Sequence, residues 1–542
     1  MSDYDVVFVG AGVAAAVAGA RLAAAGASVV FLEAGPRTER DAAVTRLRGG
    51  LYPYESPAWA PQPTQNDPDH YYVQAGKVKF SSDYERRVGG TTWHWLGTCP
   101  RLLPSDFELK TRFGVGVDWP IGYDDLEPWY VQAEHELGVA GDSDEDAGSP
   151  RSAPFPMPAI PIASGDHVIR DAAAKHGIAV VANPQARNSV DGFQGRPQCC
   201  GNATCIPICP IQAKYDATYH IDLAEHAGAT VVENAVVFQV DVGDDGKVSG
   251  VHYTTPDNDD VTVTGTIYVI AANAIETPKL LLMSKNEAMP NGVANSSDQV
   301  GRNLCDHPWA LASAVADFPY AGSRGPNSVA GGDNIRAAET RGEFATYRFE
   351  VGHFVGNPQT VADGLIGKGL VGKQLYEAVR RTAPYQMLVA ALLEQLPDPE
   401  NRIVPDWDHL DEIGLPRPKI TYSHGDYTLN GWEQAKPLFR QILEDAGGTE
   451  VTYSGPSGAG HLLATHRMGD DPATSVTDSY GRTHDHPNLF LAGGGLFPTV
   501  GTANPTLTIV ALALRSAELI GSELGYTVQA TPVASPIATP AG

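Results

Sequence analysis

The chain has 542 residues, 42% of them hydrophobic, and 64 acidic side chains against 38 basic ones, a formal charge of −26. That surplus repels phosphate backbones and anionic membrane surfaces, so nucleic acid is excluded as an expected partner. It suits docking to a basic electron carrier and equally suits plain solubility or a salty habitat. No apolar run is long enough for a membrane span, and the N-terminus opens on a strand without a basic leader. Length and composition predict one cofactor domain and one substrate domain, with 57 Gly and 41 Pro spent on turns.

In chain order, DYDVVFVG reads as a strand, GAGVAAAVAGARLAAAG as a tight turn and an Ala-rich helix, and ASVVFLEAG as a second apolar strand. Continuous apolar strands flanking a helix are what a parallel sheet covered on both faces requires, so the opening is a βαβ unit. In the turn, Gly10 stands where the chain folds sharply and Gly12 where backbone must approach a pyrophosphate. Ala15 replaces the third glycine of the fingerprint. The helix N-terminus supplies N–H groups for phosphate. Glu33 closes the second strand, where a carboxylate can accept both hydroxyls of an adenosine ribose. Dinucleotide binding is expected, and the fingerprint is common to FAD and NAD.

Residues 36–83 are rich in Pro, Tyr, Arg and Asp with little periodicity and predict an irregular excursion. The four cysteines Cys199, Cys200, Cys205 and Cys209 fall within eleven residues, a ligand pattern, whereas Cys99 and Cys305 read as buried apolar residues. Three apolar runs follow, ATVVENAVVFQVDV, KVSGVHYTT and VTVTGTIYVIAAN, separated by turns; the last passes into helix. Beyond residue 309 patterning weakens, with a helix expected near 373–393 and an isolated strand in PKITYS. The last sixteen residues, from Thr527, read as a disordered tail.

Four further segments carry a resemblance: VGGTTWHW from Val88, AANAIETPKLLLMS from Ala271, VGRNLCDHP from Val300, and HLLATHRMG with GTANPTLTIVALALR near the C-terminus. In this order, over nearly the whole chain, they resemble glucose-methanol-choline (GMC) oxidoreductases. With RPQCCGNATCIPICP, the similarity is greatest to the FAD-bearing large subunits of bacterial glucose, fructose and gluconate dehydrogenase complexes. The implied fold class is α/β, with a Rossmann-like FAD-binding domain built from discontinuous segments and an α+β substrate domain holding an antiparallel sheet. The expected boundaries are 1–155, 210–308 and 455–526 for the FAD domain, 156–209 for a cysteine-cluster segment, and 309–454 for the substrate domain.

The resemblance implies FAD and a [3Fe-4S] cluster on Cys200, Cys205 and Cys209, with Cys199 spare unless all four hold a [4Fe-4S] cluster. A zinc site and paired disulfides are the alternatives. It places the catalytic base at His461 and its hydrogen-bonding partner at Asn504, since a neutral imidazole suits removal of an alcohol proton near neutral pH. His466 and His307 are expected to be structural. Gly89, Gly90, Thr91 and Thr92 match the second flavin-contacting segment. His94 matches a histidine that tethers FAD covalently in pyranose oxidases, a packing role beside Trp93 and Trp95 being the alternative. Val236 and Val237 are expected near the adenine.

The implied activity is oxidation of a sugar or polyol hydroxyl, with electrons leaving through the cluster. The implied partners are a small chaperone-like subunit with a twin-arginine signal and a multihaem cytochrome c subunit. The location is periplasmic and membrane-associated through those subunits, or cytoplasmic without them. An oxygen-using oxidase without a cluster is the rival reading, and a lyase with a relic flavin is a third.

Overall fold

The structure, a computed structural model, describes residues 2–49, 58–64, 67–145, 148–352 and 356–529. Most of the expected tail therefore lies outside the described residues.

A five-stranded, wholly parallel sheet runs in the order Leu489–Leu491, Gly265–Ile270, Tyr4–Val9, Val29–Leu32, Thr230–Val232. Val9 pairs with both Leu32 and Ile270, so the strands end level and the turns after them share one edge. In open parallel sheets that carboxyl edge is where ligands sit. Helix Val13–Ala24 covers one face together with helices Thr218–His226 and Thr506–Glu523. Its fit to the sheet depends on Gly19, where a Cβ would stand 2.3 Å from the Phe31 ring. The close helix-to-sheet approach thus falls four residues after Ala15, which is itself fully buried.

A six-stranded antiparallel sheet runs Gly448–Ser457, Trp309–Ala316, Gln386–Leu393, Tyr347–Val351, Ala330–Gly332, Val180–Ala182. Helices Asp426–Asp445 and Ser164–Ala174 close one face with Trp432, Phe439, Ile442 and Ile169. This sheet draws on residues outside 309–454: its edge strand Val180–Ala182 comes from the cysteine-bearing segment, and Gly448–Ser457 straddles the expected boundary.

Two expectations are corrected. The predicted helix near 373–393 is a helix only over Gly372–Thr382; after Pro384 the chain becomes the central strand Gln386–Leu393. An apolar run buried on both faces has no period to separate strand from helix, and proline ends the helix. The three apolar runs yield five strands. Thr230–Val232 and Gly265–Ile270 join the parallel sheet, while Val236–Val242, Val248–Thr254 and Asp260–Val263 form a separate antiparallel sheet.

Candidate active site

At the carboxyl edge of the parallel sheet, Gly10 has φ +101°, and a Cβ there would stand 2.9 Å from the Ala271 carbonyl oxygen. Gly12 begins helix Val13–Ala24 with no side-chain cap, and a Cβ on it would meet nothing within 4 Å. Open space beside uncapped N–H groups is what a phosphate needs. The second glycine segment leans on the first: the Gly89 N–H donates to the Ala11 carbonyl at 3.1 Å, and a Cβ on Gly90 would stand 3.2 Å from Gly12 Cα. Thr92 Oγ1 donates to the Gly89 carbonyl at 2.5 Å and accepts from the Ala217 N–H, while Thr91 Oγ1 accepts from the Glu85 N–H.

The Glu33 carboxylate accepts from Ala11 N–H at 2.8 Å and Gly35 N–H at 3.0 Å, and burial pushes it up to about 7 against those bonds. The Ala235 N–H donates to the Glu33 carbonyl, which sets Val236 and Val237 beside this strand end. The glycines, the uncapped helix and the buried carboxylate fit the adenosine pyrophosphate half of a dinucleotide. His94 Nε2 contacts the Glu85 carboxylate.

Across the junction of the two sheets, one carboxylate organises two histidines. Asp306 Oδ1 accepts from the backbone N–H groups of His307 and His461 at 2.7 and 3.1 Å, and its Oδ2 accepts from the Ala459 backbone N–H and the Ser82 hydroxyl. The two imidazoles meet at 85°, with Nδ1 atoms 3.0 Å apart, and His307 Nε2 lies 3.2 Å from the Gly501 carbonyl. A carbonyl only accepts, so His307 carries its proton on Nε2 and presents the Nδ1 lone pair. His461 must then donate from Nδ1, which leaves its Nε2 as a free base; the tautomers follow from the partners rather than from observed hydrogens. Burial holds His307 down to about 4. Burial and the neighbouring imidazole hold His461 well below the ordinary 6.5.

Asn504 is fixed from the antiparallel sheet. Its Oδ1 accepts from Arg348 Nη1 at 3.4 Å, and its side chain also bonds Glu350. Arg348, fully buried, donates further to Asp333 and Glu350 at 2.8 Å each and to Asn183 Oδ1. Asp106 holds Thr502 of the same loop through N–H and Oγ1, and Arg341 pairs with Asp106 at 2.8 Å. Sequence reasoning quoted Asp306 within VGRNLCDHP without giving it a role and missed Arg348, Glu350 and Asp106, because single charged residues far apart in sequence carry no spacing signal. His307 was seen in its motif, but its contact with the base was not. His466 is fully buried and packs on Gly495, and burial takes it down to about 3.

Cys199, Cys200, Cys205 and Cys209 line one small cavity with Arg187 and Lys214. All six cysteines are free thiols, so the disulfide alternative is absent. Among the described residues, no three His, Cys, Asp or Glu side chains stand close enough to hold a metal ion. Cys200 is exposed and Cys205 buried. Lys214 Nζ donates to the carbonyls of Thr92, Trp93 and Trp95 at 3.3, 2.9 and 2.6 Å, joining the cysteine loop to the second glycine segment.

A parallel sheet with a phosphate-ready glycine turn at its carboxyl edge, together with a buried pair of neutral imidazoles, is the arrangement of a dinucleotide-type oxidoreductase. The chain belongs to the GMC oxidoreductase family: the family's N-terminal signature matches residues 4–309 and its C-terminal signature residues 397–513. It is 38% identical over 537 residues to the fructose dehydrogenase large subunit of Gluconobacter japonicus, covering 96% of this chain and 98% of that one. It is 31% identical to paromamine 6'-oxidase of Streptomyces fradiae, over 96% and 92% of the two chains. With the gluconate 2-dehydrogenase flavoprotein of Pantoea cypripedii it shares 24% over 96% and 94%. The fold matches pyridoxine 4-oxidase from Mesorbium loti with a TM-score of 0.64, 18% identity, and coverage of 95% and 99%. The chain is thus an FAD oxidoreductase acting on CH–OH donors.

Proposed function

We propose that the chain is the catalytic subunit of a sugar or polyol dehydrogenase, a proposal carried by the free Nε2 of His461, fixed by the His307 relay beside the Asn504 loop. The hydroxyl proton of the substrate goes to His461 Nε2. Asn504, braced by Arg348 and Glu350, keeps one amide N–H for the same hydroxyl oxygen, which holds it toward the base. FAD, when bound, supplies the hydride acceptor at N5. Gly10, Gly12, Ala15, Glu33 and Val237 would hold its adenosine pyrophosphate half, and Gly89, Gly90, Thr91 and Thr92 its ring system, with His94 as the candidate for a covalent link.

Cys200, Cys205 and Cys209 would hold a [3Fe-4S] cluster, with Cys199 as a fourth thiol for a [4Fe-4S] form. The spacing of the cysteines and their lining of one cavity favour this, whereas their separation, with no three ligand side chains among the described residues close enough to hold a metal ion, speaks against it. Such a cluster, when bound, supplies a one-electron exit. Exposed Ile206 and Ile211 beside it offer a face for a cytochrome-type acceptor. A chaperone-like subunit for export and a periplasmic, membrane-associated location belong to the same proposal. The 31% identity to paromamine 6'-oxidase favours a second reading, a sugar oxidase that reduces oxygen.

The deciding experiment is an anaerobic spectrum of purified protein with iron and sulfide analysis, before and after fructose, glucose or gluconate. About three irons per flavin, with flavin bleaching under one sugar, supports the dehydrogenase. An iron-free flavoprotein that reoxidises in air with peroxide formed establishes the oxidase.

A further inference from the structure

Between the strands Tyr347–Val351 and Gln386–Leu393 of the antiparallel sheet the chain makes two helices, Pro358–Ile366 and Gly372–Thr382, that belong to no hydrophobic core. No residue from 357 to 382 is buried, and among the described residues the pair packs chiefly on itself and on the short turn Ala383–Tyr385. A Cβ on Gly364, Gly369 or Gly372 would meet nothing within 4 Å. The hairpin nevertheless turns large apolar side chains outward. Ile366, which closes the first helix, is 50% exposed; Val371, the N-cap of the second, is 68% exposed; Tyr376, just over a turn further on, is 61% exposed. Apolar groups gathered on one projection without a core beneath them mark a surface that something else covers. The hairpin leaves the sheet at the end remote from the two histidines. Gln386, where the chain rejoins the sheet, pairs with Val315, and Val315 lies about 20 Å along its strand from Trp309, which His307 closely precedes.

Charge selects the covering partner. Lys368, Lys373, Arg380 and Arg381 stand against Asp363 and Glu377 in this segment, a net +2 on a chain of net −26. Glu377 lies 3.8 Å from Lys373 and 4.0 Å from Arg381, exposed pairs of little strength that leave both cations available to another anion. Arg380 sits over the Tyr376 ring and donates to its hydroxyl at 3.2 Å, so an apolar ring and a cation share one position. Basic side chains around an exposed apolar turn are the composition of helices that lie in the headgroup layer of a bilayer. A second copy bound through the same patch would set these cations against one another. The acidic body does not forbid the approach: the second helix is about 16 Å long, and salt screens the body's field within about 8–10 Å. We propose that the hairpin is a docking surface for an anionic lipid bilayer, with Ile366, Val371 and Tyr376 entering the headgroup layer and the four cations meeting lipid phosphates. The contact is with one leaflet; among the described residues no helix is long and apolar enough to cross a membrane. It needs neither the flavin nor a cluster.

The test is flotation of the complete, flavin-loaded protein with vesicles of phosphatidylcholine alone or mixed in equal parts with phosphatidylglycerol. The wild type should float with the mixed vesicles and not with phosphatidylcholine alone, and added salt should release it. Ile366→Asn combined with Val371→Asn, and separately Lys368→Gln combined with Lys373→Gln, should each lower partitioning about tenfold or more. No buried residue is touched, so both double variants should keep the wild-type melting temperature and flavin content. A wild type that stays unbound on mixed vesicles, or double variants that float as well as it does, would overturn the proposal. So would wild-type dimers in lipid-free sedimentation that Ile366→Asn with Val371→Asn dissolves into monomers, because the face would then belong to a second copy.

Discussion

At the scale of single residues, the proposed chemistry rests on which nitrogen of His461 is bare. Replacing His461 by Asn should lower kcat/KM by about two to four powers of ten, the usual worth of a positioned base, with flavin content unchanged by absorbance. Because His461 is held well below 6.5, the base stays unprotonated in mild acid. A base fails as pH falls through its pKa, so the acid limb of kcat/KM should lie well below pH 6.5; a limb at 6.5 or above would contradict the burial argument. His307 acts through His461. His307→Leu should cost about ten- to a hundredfold, the effect of losing a histidine's orienting partner. His307→Asn should recover much of it, since an amide can accept from Nδ1 and donate to Gly501. The candidate base was named from HLLATHRMG, whereas its contact with His307 was not legible, because it joins residues 307, 461 and 501 across the fold.

At the scale of elements, strength of pattern decided what could be read. The glycine turn, its helix and the two flanking strands follow from local rules, and they stand as expected in the parallel sheet. The strand Gln386–Leu393 was read as helix because Gln, Met, Leu and Ala favour helices, and only its two strand neighbours decide otherwise. Gly19 was not singled out, yet it sets the distance between helix and sheet. Gly19→Ala should destabilise the protein by about 1–3 kcal/mol, as overpacking does, seen as a lower melting temperature. Unchanged melting would mean that the Phe31 ring rotates away freely.

At the scale of the whole molecule, two sheets share a chain that crosses between them repeatedly, and no single cut separates them. The expected domain edges were least legible for that reason: a three-residue edge strand such as Val180–Ala182 carries too little sequence to announce its sheet. Residues 1–308 produced alone should not retain flavin on gel filtration, because the strand Leu489–Leu491 and the helix Thr506–Glu523 are missing from the sheet and its cover. Retention of flavin by that fragment would show that the late elements are dispensable. The same closure has a cost during synthesis. Ribosomes add roughly 5–20 residues per second, so the opening βαβ unit waits roughly half a minute or longer for the helix that shields it. Throughout that interval the part of the first helix that Thr506–Glu523 covers stands bare, shielded only in part by Thr218–His226.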